Sequence, residues 1–353
     1  MNQADLERLA AAVRSVTERY HGFGYFPSAC VRVFDAEKCL VSVCVGDASE
    51  NDLFDVASLT KLATSTQVLL LADAGRLSLE DRIADFFPEI RGDAFLSERL
   101  RGVTLLSLLT HTSGIADWYP FYEKKGEPFF SVLSWALKNT PPVSGVVYSD
   151  LNFMLLGKLL ERVHGMELSE CLQRHLVQPL GLGRMLYRPQ ALEGERIIPS
   201  DYGNPIEMEM CRERGISFDG FRPLGVPVTG TVNDGNCHYY FDDVAGHAGI
   251  FATTQAYMRL CQFYLNTDRP LLQSAVRQQP GSPGRGLGFQ TTAMYPGGCG
   301  HTGFTGTAVW FSRERRIGAV SFTNRLFFPN GNPEPTNDFR RALHETVYAL
   351  TTP

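Results

Sequence analysis

Strand-forming text stands at both ends of this chain while helical text fills the middle, an arrangement that few folds satisfy. Residues 29–34 and 39–45 are β-rich runs separated by Asp35-Ala36-Glu37-Lys38, whose turn chemistry suits a hairpin. Residues 307–311 and 317–323 form a second pair around the charged stretch Ser312-Arg313-Glu314-Arg315-Arg316. Between them, residues 61–74, 105–109, 130–137, 151–163 and 168–176 carry apolar positions at helical spacing, joined by loops containing Gly and Pro. A mostly helical domain is therefore expected as an insertion into a mixed α/β (α+β) one. An amphipathic helix with Leu6, Leu9, Ala10, Val13, Val16 and Tyr20 on one face should lie on the sheet. A helix bearing Phe339, Leu343, Val347 and Leu350 closes the chain. Residues 187–243 show little periodicity and read as a long irregular cover over a cleft.

With 353 residues the chain is long enough for two structural domains and a large core. Its formal charge of −5, from 33 basic and 38 acidic residues, gives no general basic field for nucleic acid. A small-molecule or short-peptide substrate fits better. The longest apolar runs, such as Val68-Leu69-Leu70-Leu71-Ala72, fall far short of the roughly 18 residues a membrane span requires. Residues 1–8 lack the basic start and apolar core of a secretory signal, so the chain reads as cytoplasmic as written; a trimmed precursor would read as periplasmic or extracellular. The eight cysteines are scattered without Cys-x-x-Cys, and are expected as reduced, mostly buried thiols rather than zinc ligands or a redox pair.

Three short stretches carry candidate chemistry. Ser58-Leu59-Thr60-Lys61, the only Ser-x-x-Lys in the chain, opens a helical run. Positions i and i+3 share a helix face, so the Ser58 hydroxyl and the Lys61 amine should meet where backbone N–H groups stabilise an oxyanion. Tyr148-Ser149-Asp150-Leu151-Asn152 starts another helix, where Tyr148 is a candidate proton shuttle if cations lower its pKa. A helix cap with Tyr148 packed beneath is the bland alternative. Gly300-His301-Thr302-Gly303-Phe304 leads into a β-run. Gly298, Gly300 and Gly303 mimic the dinucleotide fingerprint, but a strand follows where a helix is required.

In this order the three stretches resemble the serine β-lactamase and penicillin-binding-protein superfamily, with its class C-like esterases and D-alanyl-D-alanine carboxypeptidases. Leu108-Leu109-Thr110-His111-Thr112-Ser113-Gly114 and Gly246-His247-Ala248-Gly249-Ile250-Phe251 strengthen the likeness, which runs from about residue 54 to about residue 324. The resemblance implies an antiparallel sheet domain built from residues 1–57 and 245–353, flanked by the terminal helices. A helical domain over residues 58–244 would contain the cover, 187–243. It implies Ser58 as acylated nucleophile, Lys61 as its partner and Tyr148 as general base and later acid. The backbone N–H groups of Ser58 and Phe304 would form the oxyanion hole. Asp150, Asn152, His301, Thr302 and Gly303 would bind substrate, and neither metal nor cofactor is implied.

Two positions depart from the β-lactamase pattern. Asp150 stands where an amide is usual, and a carboxylate cannot donate hydrogen bonds, so that donor role is expected to pass to Asn152. His301 replaces a lysine. If its protonated form aids binding, KM should rise as pH passes upward through a histidine pKa. His111 and His247 are expected in structural hydrogen bonds, and the cluster Trp118 to Tyr122 in an acyl pocket or a packed loop. The leading expectation is a serine hydrolase, carboxypeptidase-like or β-lactamase-related. The alternatives are a carboxylesterase on small acyl esters and a non-catalytic binding protein of the same fold.

Overall fold

The computed structural model describes residues 1–191, 194–328 and 336–351. Both chain ends meet in one five-stranded antiparallel sheet, as the strand runs require. Its strands are β1 (Ala29–Asp35), β2 (Cys39–Val45), β3 (Cys299–Thr302), β4 (Ala308–Ser312) and β5 (Ile317–Thr323), in the order β2-β1-β5-β4-β3. The central pairing aligns Ala29 with Thr323 and Asp35 with Ile317.

β1 reads as a nearly continuous apolar run because it is buried on both faces. Ala29, Val31 and Val33 point to a core shared with the amphipathic helices α1 (Gln3–Gly22) and α6 (Asn337–Leu350). Cys30 and Phe34, on the alternate face, join the large core of the helical body. That body includes α2 (Thr60–Asp73), α3 (Asp150–His164) and α5 (Thr254–Asn266), the last lying on the sheet. The sheet is thus the middle of three layers.

Two expectations are corrected. Cys30 and Cys44 stand directly opposite in the β1–β2 register and form a disulfide, so not all eight cysteines are thiols. Of the remaining six, Cys39 is half-buried and the others are buried. Residues 187–243, of which 192 and 193 lie outside the described residues, are not all irregular. They contain the nine-residue helix α4 (Pro205–Glu213), with proline in its first turn, where the missing N–H costs nothing.

Candidate active site

The nucleophile candidate sits on a corner that the fold holds against backbone strain. Phe54–Asp55 pairs with Phe251–Ala252, and the chain then turns through Ala57, at φ 46°, into a 3-10 turn that runs into α2. A non-glycine residue with positive φ persists only where its surroundings fix it. Here the Asp55 carboxylate accepts from the N–H of Ala57 at 2.9 Å, and the hydroxyls of Thr305 and Thr307 donate to the carbonyls of Asp55 and Val56. Gly303 completes the contact, since a Cβ there would lie 2.1 Å from Thr307 Oγ1 and 2.5 Å from the Val56 carbonyl. The end of β3 at Thr302 and the Gly303 that follows it therefore lie against the corner that presents Ser58.

Lys61 follows one turn later and is fully enclosed. Its Nζ donates to Ser58 Oγ and to the His247 carbonyl, each at 3.0 Å, and lies 2.7 Å from Asp150 Oδ1. Burial opposes its charge, but Asp150 and Tyr148 outweigh that and hold the amine above the ordinary lysine value. Lys61 is thus an ammonium ion. The His247 loop reaches it because Gly246 and Gly157 cross closely: a Cβ on Gly246 would lie 2.2 Å from the Phe153 carbonyl.

Tyr148 and Asp150 arrive at the N-terminus of α3, where Ser149 caps the helix and donates to the Ala116 carbonyl at 2.6 Å. The Ser149 N–H donates to His111 Nδ1 at 3.0 Å, which keeps His111 in the structural role expected of it. The Tyr148 hydroxyl is buried and faces Lys61 and Ser58, its ring 4.9 Å from Lys61 Nζ. Burial pushes its pKa above the ordinary tyrosine value, Lys61 opposes this and Asp150 adds to it. The condition set for a base, a lowered tyrosine pKa, is not met.

Ser58, Tyr148, Asp150, Thr302, Gly303 and Phe304 share the lining of one cavity of about 450 Å³. Two expected binding residues do not line it. Asn152 is fully buried under the site, its Oδ1 accepting from Ser113 at 2.7 Å, so it is no substitute for the missing amide donor. His301 is only 1% exposed and its Nδ1 bonds the Thr302 carbonyl at 2.8 Å. Burial and the nearby Lys61 and Arg285 cations push its pKa down to about 3, so it is neutral at physiological pH. The expected rise of KM through a histidine pKa therefore has no source in His301.

Sequence reasoning missed several groups. Arg285 stands 5.2 Å over the Tyr148 ring, giving that ring a second cation besides Lys61. Arg325 and Arg340 line the cavity beside Gly303, and Arg340 donates to the Gly303 and Thr307 carbonyls at 2.9 and 3.0 Å. Glu207, on α4, also lines it; Asp234, a cleft candidate in the sequence, and Trp118, from the cluster expected in an acyl pocket or a packed loop, were not missed and line it as well. Asn204-Pro205 with Glu207 in the first turn is a helix-start signal that could have revealed α4. Asp234 bonds His247 Nε2 at 2.9 Å, whereas Asp243 turns away to His238.

Comparison with known proteins shows the family and the fold. The model of the family described as Beta-lactamase matches residues 13–343. A relative from Salmonella agona (strain SL483), named "Putative D-alanyl-D-alanine carboxypeptidase", is 27% identical over 323 residues, covering 81% of this chain and 72% of its own. Among solved structures, the hydrolase EstCE1, described as having promiscuous acyltransferase activity, superposes with a TM-score of 0.73 at 16% identity, covering 98% of this chain and 100% of its own. A class C β-lactamase mutant gives 0.71 at 17% identity, covering 99% of each chain. At such identities these structures establish the shared fold.

Proposed function

The chain belongs to the β-lactamase family and is a serine hydrolase, and from that premise we propose that it cleaves short peptides ending in a free carboxylate, through an acyl-enzyme on Ser58. The catalytic cleft would lie between the sheet half, residues 1–57 and 245–353, and the helical half, 58–244. The observation that carries the reading is the chain Ser58 Oγ to Lys61 Nζ to Asp150 Oδ1, at 3.0 and 2.7 Å, opening on the cavity.

As an ammonium ion Lys61 cannot simply accept the Ser58 proton. It takes that proton while passing one of its own to Asp150, so no net charge is created in the buried site. Ser58 attacks the carbonyl, whose oxygen charges up against the N–H groups of Ser58 and Phe304. The raised pKa of Tyr148 keeps it a phenol, suited to donate to the departing amine rather than to start the reaction. Asp150 returns its proton through Lys61 to the Tyr148 oxygen, and water then releases the acyl group by the reverse route. Asp150 is thereby a proton acceptor acting through Lys61 rather than a substrate ligand.

Arg325 and Arg340 favour a carboxylate at the strand side of the cavity, which supports a carboxypeptidase-like reading over a carboxylesterase on uncharged acyl esters. The Cys30–Cys44 disulfide favours an oxidising compartment over a cytoplasmic one. Intact-protein mass after incubation with benzylpenicillin tests the reading. A lasting adduct on the wild type that is absent in Ser58→Ala, with release of D-alanine from N-acetyl-D-alanyl-D-alanine, is the expected result. An adduct-free protein that hydrolyses only activated esters would move the assignment to a carboxylesterase. Inertness in all three assays would leave a binding protein.

A further inference from the structure

The charged groups of the cavity are segregated by sign. Asp150 and Asp234 both raise the Glu207 carboxyl through their charge, so the three carboxylates share one side. Arg325 acts on Arg340 in the same way, which puts the two cations together. Asp201, which accepts from Asn233 at 3.1 Å and feels the Arg325 charge, also lines the cavity.

Within the acidic group Glu207 alone makes no ion pair among the described residues, although Arg222 stands near enough to feel its charge. Asp150 is paired with Lys61 and Asp234 with His247. Glu207 Oε2 accepts from the Gly235 N–H at 2.7 Å, while its enclosed Oε1 makes no close hydrogen bond among the described residues, the neighbouring Tyr122 hydroxyl bonding Cys211 Sγ at 3.1 Å. The neighbours facing it are Asp234, Asp150, Tyr122, Cys211, Tyr239 and Arg222. Arg222 stacks on the Tyr239 ring at 5.8 Å and is not part of the cavity lining. Burial, and then the Asp234 charge, push the Glu207 carboxyl up to about 8, so the carboxyl holds a proton that an incoming cation would displace.

We propose that Glu207 anchors an ammonium-binding subsite, so that the preferred substrate carries a free amine on its acyl portion. The inference rests on the acyl-enzyme reading above. With the leaving group's carboxylate held at Arg325 and Arg340 and the carbonyl at Ser58, a cation at Glu207 must belong to the acyl side. The substrate class is a short peptide with an unblocked amino terminus, bound by its two opposite charges.

Two substrate pairs test this: D-alanyl-D-alanine against its N-acetyl form, and the p-nitrophenyl ester of D-alanine against that of N-acetyl-D-alanine. The expected result is at least a tenfold preference in kcat/KM for the free amine in each pair, collapsing toward unity in Glu207→Gln, with a wild-type-like melting temperature confirming the fold. Preference in the ester pair with inert peptides would sustain the subsite and refute the peptide reading. Equal rates within both pairs, a preference that survives Glu207→Gln, or turnover of none of the four compounds overturns the proposal.

Discussion

The corner at residues 54–61 and the segment 187–243 both reach the cavity, yet they are built in opposite ways. The corner presents Ser58 and Lys61 one helical turn apart, with every charge compensated: Lys61 faces Asp150, and Asp55 is held by two backbone N–H groups. The segment brings Glu207 and Asp234 from separate loops and elements and leaves one carboxylate oxygen without a close hydrogen bond among the described residues. The difference teaches where the two halves of an active site come from. Reacting groups tolerate little displacement and are held by local geometry, whereas groups that choose a substrate can be supplied by distant chain.

The largest effect tests the corner. Ser58→Ala should lower kcat/KM on the order of 10⁴-fold or more on any turned-over substrate, with an unchanged circular dichroism spectrum. Retention of more than about a hundredth of the activity would remove Ser58 from the chemistry.

Next comes the link between Lys61 and Asp150. Asp150→Asn keeps the shape but removes the proton acceptor, so kcat should fall roughly 10²-fold. It also leaves a buried ammonium without its counter-charge, costing about 3 kcal/mol. The raised Lys61 pKa stabilises the fold below the unfolded lysine value and loses that contribution only as pH rises through the folded one. The melting temperature of the variant should therefore be lower throughout the neutral range. A normal kcat would show that the proton leaves Ser58 by another route.

A smaller effect sharpens the other side of the comparison. Glu207 must ionise to receive an ammonium group, so kcat/KM for a free-amine substrate should rise with pH toward about 8, by roughly tenfold per unit at most. The N-acetyl partner, measured alongside, should lack this rise. Parallel profiles for the two would mean that the segment does not discriminate by charge.

The same contrast governs what could be read from the residues. The strands at both ends, the terminal helices and the Ser58–Lys61 pairing were legible because each rests on a local period or spacing. Asp150 was legible as a departure from pattern but not as the partner of Lys61, because that contact joins α3 to α2 through space. Asn152 and His301 were misplaced for a related reason. Position along the chain tells that a residue is near the cleft, not whether its side chain turns into it or beneath it. Helix α4 was hidden by its short length and charged sequence, and Glu207 with it.

His301 gives the smallest catalytic effect and the finest test, because its contribution belongs to stability. With its folded pKa at about 3, KM should show no His301-dependent change between pH 6 and 8, and His301→Gln should leave any trend there in place. Below the unfolded value near 6.5 the unfolded chain gains a proton that the buried imidazole refuses, so stability falls as pH drops from about 6.5 toward 3. One such group contributes a slope of about 1.4 kcal/mol per pH unit. His344, pushed down to about 4 by burial, adds in the same direction. Asp55 and Glu207, pushed up by burial to about 6 and about 8, act with the opposite sign, because there the folded state binds the extra proton. The wild-type curve alone mixes these terms. The difference between wild type and His301→Gln in denaturant titrations from pH 6.5 to 4 isolates one proton, and a difference that does not change with pH would mean that His301 titrates normally and is open to the cleft.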